Sequence, residues 1–230
     1  MEIDQIIGNK YQVVDLIKNK ADCSVGVCIH IFLKNKWLVK YEPVVANEPP
    51  LGLKLMLDLE IRGVPKVIDV FYEDGGCYYM MDYIRGMTLK EALLEERRSS
   101  RQYLTWVKHL AYILDSLHCQ QIVHGDIKPD NIMILEDDSV VLIDFGSAFR
   151  HEDSMSFSPT YVAPERLLDY PRVDYRSDLY SLGRVMEEVL DVYDSSSRRL
   201  RRIQKALCQV DPDRRPKSTQ ELTDILNSYS

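Results

Sequence analysis

The chain has 230 residues, 45% of them apolar and 28% charged, enough for one large domain or two small lobes with a substantial core. Thirty-six acidic against 29 basic residues leave a formal charge of −7, which argues against nucleic acid as a partner. No apolar run reaches the roughly 20 residues that span a bilayer, and the opening MEIDQIIGNK lacks the pattern of a secretion signal. No membrane partner and an intracellular, cytoplasmic location are therefore expected. Cys23, Cys28, Cys77, Cys119 and Cys208 form no C-x-x-C pair and no metal-ligand spacing, and their odd number reads as reduced thiols.

In chain order, Tyr11–Ile17, Val25–Phe32, Trp37–Tyr41, Val67–Glu73 and Cys77–Tyr83 are rich in β-branched and aromatic residues and predict five strands. Lys34-Asn35-Lys36 and Asp74-Gly75-Gly76 are turn signals that close two hairpins. A helix is expected to start at Pro49-Pro50, because proline is tolerated in a first helical turn. Beyond a connector near Ile84–Met87 the chain reads as helix. Val107, Leu110, Leu114 and Leu117 make one core-facing stripe, and Leu179, Leu182, Met186 and Val189 make another. One short apolar strand, Val140–Ile143, interrupts the helices. The fold class is α+β: a small N-lobe (about 1–83) of sheet and one helix, a hinge (84–87), and a mainly helical C-lobe (88–230). A crevice between lobes is the natural ligand site.

Residues 124–131 read His-Gly-Asp-Ile-Lys-Pro-Asp-Asn, followed by Asp144-Phe145-Gly146 at the end of the apolar strand. Phosphoryl transfer needs a carboxylate that orients the attacking hydroxyl, and oxygen ligands for Mg²⁺ bridging the phosphates. Asp126 suits the first task, and Asn131 and Asp144 suit the second. Lys40, on the third strand, carries an ammonium suited to phosphate oxygens.

These strings resemble the eukaryotic-type protein kinase family from about residue 10 to the C-terminus, with the motifs in family order. The resemblance implies a bilobal kinase fold, ATP and Mg²⁺ as cofactors, and a protein substrate. Lys40 matches the lysine that grips the α- and β-phosphates. Asp126 matches the catalytic base, Lys128 the lysine near the γ-phosphate, and Asn131 and Asp144 the metal ligands. Ala163-Pro164-Glu165 matches the end of the activation segment, with Arg215 the partner of its glutamate. Asp178-Leu179-Tyr180-Ser181-Leu182-Gly183 matches the buried helix that anchors the catalytic loop. By the same transfer, Ile17, Val25, Leu38 and Met133 would sandwich the adenine, with Met81 as gatekeeper. The Asp82 carbonyl would accept from the amino group, and the Ile84 N–H would donate to the ring. The Asp-Ile-Lys-Pro string and Ser158 resemble the Ser/Thr-specific form.

The sequence also departs from the family. The three glycine positions of the phosphate-covering loop fall on Lys18, Lys20 and Cys23, so weak, Mg²⁺-dependent ATP binding is expected. Lys18 and Lys20 read either as substitutes for the lost backbone donors or as solvated loop lysines. Gly125 stands where the family has the arginine that reads a phosphorylated segment. With Ser154, Ser156, Ser158 and Thr160 as candidate phosphosites, activity is expected to be constitutive or set by a regulatory partner. No helix glutamate for Lys40 is obvious: Gly52 falls at its place, and Glu48, one turn earlier, reads either as that partner or as an N-terminal helix acid. The connection from Leu190 to Arg198 is trimmed. Two other functions stay open: a nucleotide-binding or scaffolding pseudokinase, and a small-molecule phosphotransferase, since His-Gly-Asp also resembles the aminoglycoside phosphotransferases. Oligomeric state is not encoded in any of these features.

Overall fold

The computed structural model describes residues 1–44, 48–95, 99–150, 160–167, 174–193 and 197–227. The chain divides into two compact units, Met1–Glu60 with Pro65–Arg85, and Ile61–Val64 with Gly86–Ser230.

The first unit is an antiparallel sheet of β1 (Ile6–Ile7), β2 (Tyr11–Lys20), β3 (Cys23–His30), β4 (Lys36–Pro43), β5 (Val67–Glu73) and β6 (Gly76–Asp82), in the order β1-β2-β3-β4-β6-β5. Six strands replace the expected five. β1 is too short to show alternation, yet it pairs with Tyr11 and Gln12 and contributes Ile7 to the core. The core is Ile7, Tyr11, Val13, Cys28, Val39, Tyr78 and Met80; burial pushes the Cys28 thiol up to about 12. Asp74 and Gly75 both have positive φ, the mirror-image turn whose twist matches paired strands, so β5 and β6 close as expected. β3 stops at His30, short of the expected Phe32. The His30 Nδ1 accepts from the Phe32 and Leu33 N–H groups, folding these residues into a turn that leaves Phe32 79% exposed. After β4 comes α1 (Leu51–Leu57), which buries Leu53, Leu55 and Met56.

The second unit holds β7 (Met87–Thr88), α2 (Leu89–Leu94), α3 (Ser100–Cys119), β8 (Ile132–Ile134), β9 (Val140–Leu142), α4 (Pro164–Leu167), α5 (Arg176–Tyr193), α6 (Arg198–Leu207) and α7 (Thr219–Asn227). Thr88/Glu91 and Ser99/Gln102 form reciprocal capping boxes that start α2 and α3. The stripes on α3 and α5 are buried along their length, and α3 packs on α7 while α5 packs on α6. β9 is not alone: it closes a three-stranded sheet, β7-β8-β9, whose other members are too short for a periodicity signal. The β8–β9 turn is pinned to α3, because the Asp138 carboxylate accepts from Trp106 Nε1 and Gln102 Nε2, both at 3.1 Å. α5 ends at Tyr193 and α6 begins at Arg198, so the connection is short. Among the described residues no helix is long and apolar enough to cross a membrane.

Candidate active site

Asp178, on the first turn of α5, is the anchor of the second unit's loop. Its carboxylate accepts from the backbone N–H of His124 (2.9 Å) and of Gly125 (2.9 Å), and its Oδ2 lies 2.9 Å from His118 Nε2. His118 reaches Thr219 on α7 through its other ring nitrogen at 2.7 Å. Burial acts to raise the Asp178 pKa; the hydrogen bond and charge of His118, with the Gly125 N–H, outweigh it and hold the group below its ordinary value. His124 is fully buried. Its Nδ1 accepts from the Asp126 N–H (3.3 Å) and its Nε2 lies 3.2 Å from the Ile143 carbonyl oxygen. That pairing requires the neutral Nε2–H tautomer, and burial holds its pKa below the ordinary value, against the raising charges of Asp178, Asp126 and Asp144.

Within this frame Asp126 Oδ2 accepts from Lys128 Nζ at 2.6 Å and from Asn131 Nδ2 at 3.0 Å, and Asn131 Nδ2 also reaches the Asp126 carbonyl at 2.9 Å. Asp126 Oδ1 is buried and has no hydrogen-bond partner among the described residues. Buried polar atoms are ordinarily paired, so an open carboxylate oxygen here marks an acceptor position. Asn131 stands just before β8, and the β8–β9 register of Ile132 with Leu142 brings it beside the end of β9, where the Ile143 N–H donates to the Asn131 carbonyl at 2.9 Å. Asp144 follows at once, exposed, with φ +62° and its carboxylate accepting from the Gly146 N–H. The hairpin thus puts Asn131 and Asp144 at one end. Among the described residues no group of three His, Cys, Asp or Glu side chains is arranged to hold a metal ion. Met133 sits in β8, half-buried.

Gly125 is required by its surroundings. Its φ is +77°, and a Cβ there would lie 2.6 Å from the Ser147 carbonyl oxygen and 3.0 Å from an Arg166 nitrogen. Arg166 itself donates to the Gly125 carbonyl and lies over the Phe149 ring, 5.4 Å from its centre. Sequence reasoning missed Arg166, which is remote in sequence from the loop it holds. Glu165 and Arg215 form the expected pair, bidentate at 2.6 and 2.7 Å and almost fully buried. Arg215 also donates to the carbonyls of Gln209 and Arg176. Ser154, Ser156 and Ser158 lie outside the described residues; Thr160 is exposed.

In the first unit Lys40 lies on β4, opposite Val25 on one side and Tyr79 on the other. Its Nζ is 2.8 Å from Glu42 Oε1, two residues along the same strand. Tyr79 Oη donates to that same oxygen at 2.7 Å. Glu48, the candidate partner, is instead exposed and 3.4 Å from Lys54 Nζ. The helix alternative fails because α1 has no acidic residue, while alternation on a strand puts residues 40 and 42 on one face. That period was the signal available for Glu42. Lys18 and Lys20 are exposed and lie within the paired β2–β3 hairpin, which runs to Lys20 opposite Cys23 and so occupies the expected loop. Ile17 falls in a bulge of β2 and is 61% exposed; Val25 and Leu38 are half-buried on β3 and β4. Asp82 ends β6, where its side chain accepts from the Lys66 N–H at 2.9 Å and Met81 beside it is buried; Ile84 follows the strand, half-buried.

A family profile described as protein kinase domain matches residues 8–227. A probable serine/threonine-protein kinase of Clostridium perfringens is 29% identical over 210 residues, 82% of this chain and 30% of its own length. Ribosomal protein S6 kinase alpha-6 of Homo sapiens is 29% identical over 213 residues, 84% of this chain and 28% of its own length. Serine/threonine-protein kinase Nek6 of Oryza sativa is 28% identical over 195 residues, 79% of this chain and 36% of its own length. The chain thus spans about a third of the length of these relatives. Sheet unit, helical unit and the buried Asp178 and Glu165–Arg215 anchors agree with that match, and the chain belongs to the protein kinase domain family.

Proposed function

We propose that the two units act together as one kinase domain, and that it transfers the γ-phosphate of ATP to serine or threonine hydroxyls of proteins. One observation carries this reading: Asp126 is held on Oδ2 by Lys128 and Asn131 while Oδ1 has no hydrogen-bond partner among the described residues. A carboxylate so fixed can accept a hydrogen bond from an incoming hydroxyl, orient its lone pair and take its proton. Lys128, already at Asp126, would offer its ammonium to the transferring phosphoryl group. Asn131 and Asp144 supply hard oxygen atoms at one hairpin end, and with Nδ2 committed to Asp126, Oδ1 is the Asn131 atom for a cation. Two protein oxygens suit Mg²⁺, which takes its remaining ligands from phosphates and water. The ion would neutralise charge on the phosphates. Lys40 would hold the α- and β-phosphates, and Ile17, Val25, Leu38 and Met133 the adenine, with the Asp82 carbonyl and Ile84 N–H at its edge. The hydroxyl preference is supported by Lys128 and by the serine/threonine-kinase names of the relatives.

A pseudokinase is the second reading, favoured by the β2–β3 hairpin, bulged at Ile17 but paired to Lys20 opposite Cys23, in place of a glycine-rich phosphate loop. The test is purified protein with Mg-ATP and a mixed panel of serine, threonine and tyrosine peptides. Transfer to serine or threonine is expected, and Asp126→Asn should lower it by about 10²–10⁴-fold while leaving ATP affinity nearly unchanged. No transfer by the parent chain, or equal transfer by Asp126→Asn, would sink the catalytic assignment.

A further inference from the structure

The first unit contains a charged cluster that no expected helix residue supplies. Lys40 Nζ and Tyr79 Oη converge on one oxygen, Glu42 Oε1, at 2.8 and 2.7 Å. Lys40 and Tyr79 are register partners across β4 and β6, and the lysine ammonium lies 6.0 Å from the centre of the tyrosine ring. The Lys40 and Glu42 side chains are only 11% and 21% exposed, so neither charge is well solvated. Burial holds the Tyr79 hydroxyl protonated, with its pKa well above the ordinary value, so it donates to Glu42 and does not compete with it. α1 (LGLKLML) offers no carboxylate, and the Glu48 carboxylate is beside Lys54.

We propose that Glu42, steadied by Tyr79, is the positioning residue for Lys40, so that the phosphate-binding lysine is oriented from its own strand and not by a helix. This rests on the reading of Lys40 as the phosphate lysine. A carboxylate two residues along a strand shares a face with its partner by the two-residue period, so strand geometry alone brings the pair together. Removing the carboxylate takes a charge-assisted contact from the partly exposed ammonium, which a neutral glutamine does not restore. A further consequence concerns control: movement of α1 does not open or close this pair.

The experiment uses the full chain and four variants, Glu42→Gln, Glu42→Asp, Tyr79→Phe and Glu48→Gln. Lys40 modification by cyanate is followed by peptide mass spectrometry, alongside ATP KM, kcat and thermal midpoint. Glu42→Gln should speed Lys40 modification several-fold and lower kcat/KM by roughly tenfold to a hundredfold, as expected for a lost charge-assisted hydrogen bond. Its thermal midpoint should move by only about 2 °C or less, as befits a partly exposed pair. Glu42→Asp should recover part of both effects, Tyr79→Phe should show a smaller version, and Glu48→Gln should change neither. Unchanged modification and turnover in Glu42→Gln would overturn the proposal, as would a gain in turnover or a loss confined to Glu48→Gln. If the parent chain transfers no phosphate, the kinase reading fails by itself, and the cyanate arm still decides whether Glu42 holds Lys40.

Discussion

The Lys40–Glu42 pair and the Glu165–Arg215 pair are both lysine- or arginine-to-carboxylate contacts, yet they are built in opposite ways. The first joins neighbours on one strand and keeps some contact with water, at 11% and 21% side-chain exposure. The second joins groups 50 residues apart and is buried at 0% and 2% exposure, with further carbonyls completing the arginine. A local pair costs little chain entropy to form and contributes little to holding the fold. A remote, dehydrated pair ties three segments of the second unit together, and either charge left alone there is severely penalised. The same chemistry therefore joins strand neighbours in one unit and ties distant segments together in the other.

The sharpest way to break this contrast is Arg215→Ala. It leaves Glu165 charged, buried and alone, and should cost about 3–5 kcal/mol of stability in urea unfolding. A loss below about 1 kcal/mol would put the pair in the same class as Lys40–Glu42. Gly125→Ala comes next. The positive φ and the nearby Ser147 carbonyl should together cost about 1–3 kcal/mol, and turnover should fall because Asp126 is the next residue. An unchanged melting midpoint would mean that the loop has room, and that Arg166 does not fill the space beside it.

Acid should weaken the second unit. His124 is buried neutral, so its folded pKa lies below the unfolded value of about 6.5. The unfolded chain then binds the extra proton first; the stabilisation is complete above about pH 6.5 and is lost as pH falls through that value toward the folded pKa. Melting midpoints measured from pH 8 to pH 5 should drop on the acid side, and His124→Gln should flatten the drop. A profile unaltered by that substitution would remove His124 from the account. The smallest effect is expected from Lys18→Ala with Lys20→Ala. As exposed side chains of a paired hairpin they should change ATP affinity by less than about threefold, read by calorimetric titration. A larger loss would show that they have taken over the phosphate contacts.

Residues 124–146 were legible because their spacing is short: the 3-10 turn at Pro129–Asn131 and one hairpin carry Asp126, Asn131 and Asp144. The stripes of α3 and α5 were legible for a related reason, since a helix face is written in its own period. Short strands such as Ile6–Ile7 and Met87–Thr88 were not, because two residues carry no period. Glu42 shares a strand face with Lys40 by the two-residue period, and the β4–β6 register that sets Tyr79 opposite Lys40 adds the hydroxyl that reaches Glu42, while Glu48, the residue suggested by counting, stands beside Lys54. Likewise Arg166 meets Gly125 across 41 residues, and Asp178 meets it across 53. Sequence by itself determined the faces of elements and the local order of residues 124–146, because those depend on neighbouring residues. Only tertiary structure selected the remote partners, Asp178 and Arg166 for Gly125 and Arg215 for Glu165, because burial decides which distant side chains share a small, dry volume.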